Sequence, residues 1–263
     1  MSIRLTTDQI ERYSRQIMIP DLGGKTQIRL RQARVLVVGA GGLGSPAALY
    51  LAAAGIGTLG LVDPDRVELS NLQRQILHTT PDRERRKVDS AKEKISLLNP
   101  DVEVVTYAAR VEPDNATEIL SGYNFIVDGS DNFATKFLVN DIAVHLGIAF
   151  SHAGIVRLQG QTMTVVPGKS ACYRCFFGEP PPPEEILTCQ QAGILGAVAG
   201  TVGSIQAIEA IKYLAGLEEG LLTDRLLTFD ARWMKFHLVH VNRDIHCVAC
   251  SPQGTTAARS AGT

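Results

Sequence analysis

Apolar and polar positions change rhythm along this chain in a way that marks out its elements. Residues 6–17 read as a helix, opened by Thr6 with Gln9 three positions on, the spacing of a capping box. Residues 34–38, Arg-Val-Leu-Val-Val, form an apolar run long enough for a buried strand and too short for a helix. An Ala- and Leu-rich helix follows over about 46–54, with Pro46 near its start, where a backbone N–H is not needed. A second strand, 58–62, ends at Asp63. The alternation then repeats: helix 89–98 stopping before Pro100, strand 103–106, strand 124–127 ending at Asp128, helix 134–146, strand 148–152. Strands alternating with helices predict a parallel, doubly wound sheet.

After Gly154 the rhythm changes. Residues 161–166 and 226–241 read as longer strands with no helix in step between them, which predicts antiparallel additions to the sheet. Between them lie four consecutive prolines, 180–183, and an apolar stretch, 192–217, punctuated by Gly193, Gly196, Gly200 and Gly203. The proline run reads equally as a stiff crossover loop over a substrate tail and as a plain spacer. Gln206, Glu209 and Lys212 recur every three positions in the apolar stretch, so it is expected to be a buried helix surfacing on one side rather than a membrane span. Residues 253–263, small and polar, are expected to be a disordered tail, and no internal repeat is present.

Composition narrows the setting. The 263 residues are 45% hydrophobic and 20% charged, enough for one sizeable α/β core. A net charge of −1 offers no broad attraction to nucleic acid or to an anionic membrane. The first residues, Met-Ser-Ile-Arg-Leu-Thr-Thr-Asp, lack the apolar core of a signal peptide, and a cytoplasmic location is expected. Five cysteines without such a signal point to metal binding or catalysis rather than a disulfide frame.

Candidate chemistry begins at Gly39-Ala-Gly41-Gly42-Leu-Gly44, which fits G-x-G-x-x-G directly after a strand and before a helix. Glycines let the turn close and let backbone approach a phosphate, while the helix N-terminus offers unpaired N–H donors. Asp63, about 20 residues on, ends the next strand where an acidic side chain can reach a ribose hydroxyl. The fingerprint predicts a Rossmann-like nucleotide site without choosing between a dinucleotide and ATP. The choice comes from Asp63-Pro-Asp65, Asn71, Arg74 and Gln75 just beyond the second strand, Lys87 in the basic run that follows, and Asp131 and Asn132 beyond the strand ending at Asp128. Cations that offset phosphate charge and a carboxylate suited to Mg²⁺ match a triphosphate undergoing displacement better than hydride transfer. Arg83, Arg85 and Arg86 read as a solvated charge run.

The segments Arg12-Tyr-Ser-Arg15-Gln-Ile, Gly39 to Gly44, Asp63-Pro-Asp65, Ser70-Asn-Leu-Gln-Arg74-Gln, Ser130-Asp-Asn132 and Thr188-Cys-Gln-Gln-Ala-Gly193 occur together and in order. In this the chain resembles the MoeB/ThiF family, bacterial relatives of ubiquitin-activating enzymes, over nearly its whole length up to Cys250. The resemblance implies a homodimer that uses Mg-ATP to adenylylate the C-terminal glycine carboxylate of a small ubiquitin-like sulfur carrier, ThiS-like or MoaD-like. It implies ribose contacts from Asp63 and Asp65, and phosphate or transition-state contacts from Asn71, Arg74, Gln75 and Lys87. It gives magnesium to Asp131, and gives Arg15 to the partner subunit's site. The expected domain covers residues 1–252, with a nucleotide-binding half over about 30–153 and a carrier-binding, zinc-binding half over about 154–252. Nothing after Cys250 resembles a rhodanese domain, so sulfur is expected from a separate donor protein.

Cys172-Tyr-Arg-Cys175 and Cys247-Val-Ala-Cys250 form two C-x-x-C pairs, four thiolates suited to tetrahedral zinc that would staple two distant segments. A redox dithiol is the competing reading, without the usual βαβ setting. Cys189 lies just before the long helix, where a thiol can be nucleophilic. The resemblance matches it to a cysteine that links to the carrier in some members and is dispensable in others. His78 and His152 fall in no metal or triad pattern and read as structural. Three other functions share parts of this pattern: an NAD(P)-dependent oxidoreductase, a scaffold without catalysis, and an enzyme that adenylylates a peptide, a small molecule or tRNA.

Overall fold

A computed structural model describes residues 4–182 and 192–251 of the chain. Among these residues, eight strands make one sheet: β1 (Arg34–Val38), β2 (Thr58–Val62), β3 (Glu103–Tyr107), β4 (Phe125–Asp128), β5 (Ala149–Val156), β6 (Gln159–Val165), β7 (Arg225–Asp230) and β8 (Lys235–His240). Their order is β3-β2-β1-β4-β5-β6-β7-β8. The first five are parallel and the last three pairings are antiparallel, as the change of rhythm after Gly154 predicts. The order reverses direction between β1 and β4, so a crevice opens beyond their carboxyl ends, where doubly wound sheets bind ligands.

Successive side chains of the central strands feed two cores, because a strand alternates faces. Val35, Val37, Leu59, Leu61, Phe125 and Val127 join one; Leu36, Val38, Val62 and Ile126 join the other. The first core is closed by α3 (Gly23–Gln32), α4 (Gly44–Ala53), α5 (Lys87–Leu98) and a long helix that we number α9 (Gly196–Ala215). The second is closed by α6 (Ala116–Leu120), α7 (Phe133–Leu146) and the segments carrying the cysteine pairs, the first of which includes α8 (Tyr173–Phe177). Each fully buried Leu, Val or Phe in these layers contributes roughly 1.5–3 kcal/mol.

The short helices α6 and α8 were not expected from the sequence, and four further departures say more. The helix expected over 6–17 is broken into α1 (Thr7–Arg12) and α2 (Ser14–Ile17) at Tyr13. The Thr6–Gln9 capping box does form, but the Tyr13 ring is buried, takes a hydrogen bond from Asn99 Nδ2 at 2.9 Å, and lies where a Cβ on Gly55 would be 2.5 Å away. That docking turns the chain. Helix α3 has no counterpart among the expected elements. It opens on two glycines without a side-chain cap, and most of its residues are polar, so its sequence carries neither a start signal nor an apolar stripe. Residues 226–241 form a hairpin, β7–β8, rather than one long strand; Asp230 Oδ1 accepts from Arg232 N at 2.9 Å, and Met234 takes a positive φ of 51°.

The fourth departure matters most for function. Gln206 and Glu209 do not surface on α9; both are buried. Gln206 Nε2 donates to the carbonyls of Asp128 (2.9 Å) and Ser151 (3.1 Å), tying α9 to the end of β4 and to the neighbouring β5. Glu209 accepts from Thr164 Oγ1 (2.6 Å) and Leu222 N (2.7 Å), and pairs with Lys212. A period of three marks one face of a helix, but here that face meets the sheet.

Candidate active site

The glycine loop is built by close backbone approach. Gly39 has φ 87°, and a Cβ there would sit 3.0 Å from the Gly129 carbonyl oxygen, so the loops after β1 and β4 touch through glycine. At Gly44, the first residue of α4, a Cβ would overlap Gly39 O at 1.8 Å, so only glycine lets α4 start there. Asp63, at the end of β2, fastens the loop: Oδ2 accepts from Ala40 N at 2.8 Å and Oδ1 from Asp65 N at 2.8 Å. Burial pushes the Asp63 carboxyl upward, and the Lys87 ammonium 3.9 Å away opposes that. His78 supports the loop from beneath, contacting Ala40 O (3.0 Å) and Ser90 Oγ (2.9 Å); burial lowers its pKa, so it serves as a neutral brace.

These loops wall a cleft of about 840 Å³, within the usual range for a cofactor site. Gly39, Gly41, Gly42, Asp63, Asp65, Arg74, Gln75, Lys87, Asp131 and Asn132 line it together. Arg74 is held by Ser70 O at 3.1 Å and packs beneath α9, where Gly196 comes so close that a Cβ would lie 2.4 Å from Gln73 O. Lys87, the buried first residue of α5, reaches Asp65 Oδ2 at 2.8 Å. Asp131 lies exposed on the wall, and Asn132 Oδ1 caps α7 by accepting from Thr135 N at 2.8 Å. Three expected residues stand outside the lining. Gly44 shapes the loop from behind, Asn71 turns its carboxamide to Glu68 N (3.2 Å), and Arg15 lies exposed on α2. Cys189 lies outside the described residues, as do Pro183, Thr188 to Gln191 and the tail.

Sequence reasoning missed Lys136. One helical turn inside α7 from the Asn132 cap, Lys136 lines the cleft, and its ammonium donates to Ala153 O at 2.6 Å and lies 3.6 Å from Asp128 Oδ2. The available signal was that cap: a lysine four residues after it falls on the cleft side of the helix. Asp128 is fully buried; desolvation works against its charge, but Lys136 foremost, with His152 and Ser130, holds it down at about 2. His152 is buried beside Tyr173 and Phe177, and desolvation lowers it to about 4, so it donates Nδ1–H to Asp128 as a neutral ring. Beyond Lys136 the cleft continues past Gly154, Val156, Gln161, Phe229 and His237 onto the antiparallel strands. A chamber lined by glycine backbone and cationic side chains thus continues along the antiparallel strands.

The four paired cysteines converge. Their sulfurs lie within 4.8 Å of one another, with Cys172–Cys247 at 3.6 Å and Cys175–Cys250 at 3.4 Å. Sulfurs at the corners of a zinc tetrahedron stand about 3.8 Å apart for a Zn–S bond near 2.3 Å, so the set fits that ion. The hydrogen bond from Cys172 pulls Cys250 down, while the same contact pushes Cys172 up and burial pushes Cys175 up. Four protein sulfurs leave no open position, so such a centre is structural.

Residues 13–249 match the model of the ThiF family. The chain belongs to the ThiF family. The "SAMP-activating enzyme E1" of Haloferax volcanii is 46% identical over 97% of this chain and 93% of its own. An "adenylyltransferase and sulfurtransferase MOCS3" of Culex quinquefasciatus is 45% identical, over 94% of this chain and 57% of its own. The chain thus spans little more than half the length of that relative and of the other MOCS3 proteins it matches. Among solved structures, Escherichia coli MccB bound to MccA-N7isoASN has the same fold, with a TM-score of 0.82 at 23% identity over 94% of this chain and 75% of its own. This ThiF-family chain has no helix, among its described residues, long and apolar enough to cross a membrane.

Proposed function

We propose that this protein uses ATP to adenylylate the C-terminal glycine carboxylate of a small ubiquitin-like sulfur carrier. The observation that carries this reading is the cleft itself: the glycine loop, Arg74, Lys87, Lys136 and Asp131 line one chamber, which continues past Gly154, Gln161 and Phe229 along the antiparallel strands. A nicotinamide site needs ribose and pyrophosphate contacts; it has no use for this set of cations beside an acidic group.

A carrier carboxylate oxygen attacks the α-phosphorus of ATP. A new P–O bond forms as the bond to the β-phosphate oxygen breaks, giving an acyl-adenylate and pyrophosphate. A carboxylate is already an adequate nucleophile, so the chain's work is positioning and charge compensation. The glycine loop and the α4 N-terminus receive phosphate oxygens, Arg74 and Lys87 offset the charge that shifts to the leaving group, and Asp63 accepts from the ribose. Magnesium, held by Asp131, would neutralise phosphate charge when bound. Zinc, held by Cys172, Cys175, Cys247 and Cys250, would fix the lobe that borders the groove.

The names of the relatives support both the chemistry and the carrier as substrate. The further parts of the reading are a homodimer in which Arg15 completes the partner's cleft, a cytoplasmic setting, a separate sulfur donor, and Cys189 as the thiol that links to the carrier. ATP–pyrophosphate exchange tests the core. Exchange should require a carrier ending in Gly-Gly, ThiS-like or MoaD-like, and should vanish when the last glycine is removed. ATP binding without exchange for any carrier points instead to a peptide or small-molecule acid as substrate.

A further inference from the structure

Asp63 and Asp65 stand two residues apart beyond β2, both line the cleft, and either is a candidate for the ribose. Their surroundings separate them. Asp63 is buried, with both oxygens engaged by the backbone of Ala40 and Asp65. Asp65 is 58% exposed at its side chain, yet its Oδ2 is committed to the Lys87 ammonium at 2.8 Å, and that lysine side chain is only 6% exposed. The pairing is built in by backbone. Lys87 N donates to Asp65 O at 3.0 Å, Val67 N to Arg85 O at 2.9 Å, and Arg66 bridges Arg86 in antiparallel fashion. Two short segments therefore run against each other so that residue 65 faces residue 87. Lys87 also opens α5, where the helix end is itself positive and a cation is disfavoured. An acidic partner at this spot offsets that field and keeps the long lysine chain in one arrangement.

We infer that Asp65 is a positioning residue, which holds the Lys87 ammonium toward the phosphate chamber and leaves the ribose to Asp63. The inference rests on the adenylylation reading for its kinetics and on geometry alone for its chemistry. A lysine with three rotatable donors and a flexible stem loses its alignment when the carboxylate is removed, while the net charge of the chamber becomes more favourable to ATP. Ground-state binding and turnover should therefore separate.

The test compares the full chain with Asp65→Asn and Asp65→Glu in ATP–pyrophosphate exchange with a Gly-Gly carrier. Asp65→Asn should lower kcat about tenfold and leave KM for ATP unchanged or lower, the mark of an interaction used in the transition state. The same loss should appear with 2′-deoxy-ATP and 3′-deoxy-ATP, and Asp65→Glu should recover most of the rate. A loss that disappears with either deoxynucleotide would make Asp65 a ribose ligand and overturn the inference. A raised KM that Asp65→Glu fails to restore would overturn it too. The second arm needs no catalysis and so separates this inference from the proposed function. Without nucleotide, the rate of Lys87 trinitrophenylation, read by peptide mass spectrometry, should rise several-fold in Asp65→Asn. An unchanged rate would show that Asp65 does not hold the lysine.

Discussion

At the scale of single residues, charge and burial divide the site into side chains that line the open cleft and side chains that hold its walls still. Arg74 belongs to the first kind: it lines the cleft, and its guanidinium donates to the Ser70 carbonyl. Arg74→Ala should abolish exchange, a loss of at least about a hundredfold, with a thermal midpoint within a few degrees of wild type. Retained activity would show that the phosphates do not need this cation. His152 belongs to the second kind. Its folded pKa of about 4 lies below the ordinary value of 6.5, so the unfolded chain binds the extra proton first. Stability is therefore full above about 6.5 and falls as the pH drops toward 4, by at most about 1.4 kcal/mol per unit for this group. Urea unfolding across that range should show a shallower slope in His152→Leu; an equal slope would mean that the ring is protonated in the fold. The glycine loop, Asp63 and the cysteine pairs were legible in the sequence because their spacing alone encodes their chemistry. Lys136 was not, since its place in the cleft depends on which face of α7 meets β5.

At the scale of elements, periodicity located the parallel half well and misjudged what covers it. Strands β1 and β2 fall on the expected residues, because an apolar run between polar ends has only one way to be buried. Helix α9 shows where such reasoning stops: its length was legible, but a polar stripe looks the same whether it faces water or the carbonyls of β4 and β5. Its glycines are unequal for a related reason. A Cβ on Gly203 would lie 2.3 Å from Leu43 O, whereas Gly200 has nothing within 4 Å. Gly203→Ala should therefore push α9 away from the glycine loop, cost about 2 kcal/mol or more, and weaken ATP binding. Gly200→Ala should stabilise by roughly 0.5–1 kcal/mol, because alanine loses less backbone freedom in a helix. Chemical denaturation of the two variants checks both signs; matching effects would refute the packing of α9 on this loop.

At the scale of the whole molecule, the cysteine cluster and the N-terminal segment raise different questions of assembly. The cysteines join residues 172–175 to residues 247–250 across the strands that border the groove. Cys172→Ala should lose zinc by metal analysis and several kcal/mol of stability, since removing one ligand of a structural site removes binding energy that is also folding energy. Arg15 poses the larger question, because it lies exposed on α2 and outside the cleft of its own chain. If a two-fold dimer brings Arg15 of one subunit to the cleft of the other, each site takes its cations from two chains. Arg15→Ala and Lys87→Ala should then each be inactive alone, the first for want of the partner's arginine and the second for want of its own lysine. Mixed and allowed to exchange subunits, they form heterodimers in which one cleft lacks both cations and the other has a complete set. Random pairing makes half the dimers mixed, so exchange activity should recover to about a quarter of wild type. No recovery, with subunit exchange verified by differently tagged chains, would place Arg15 outside the chemistry and leave each cleft complete within its own chain.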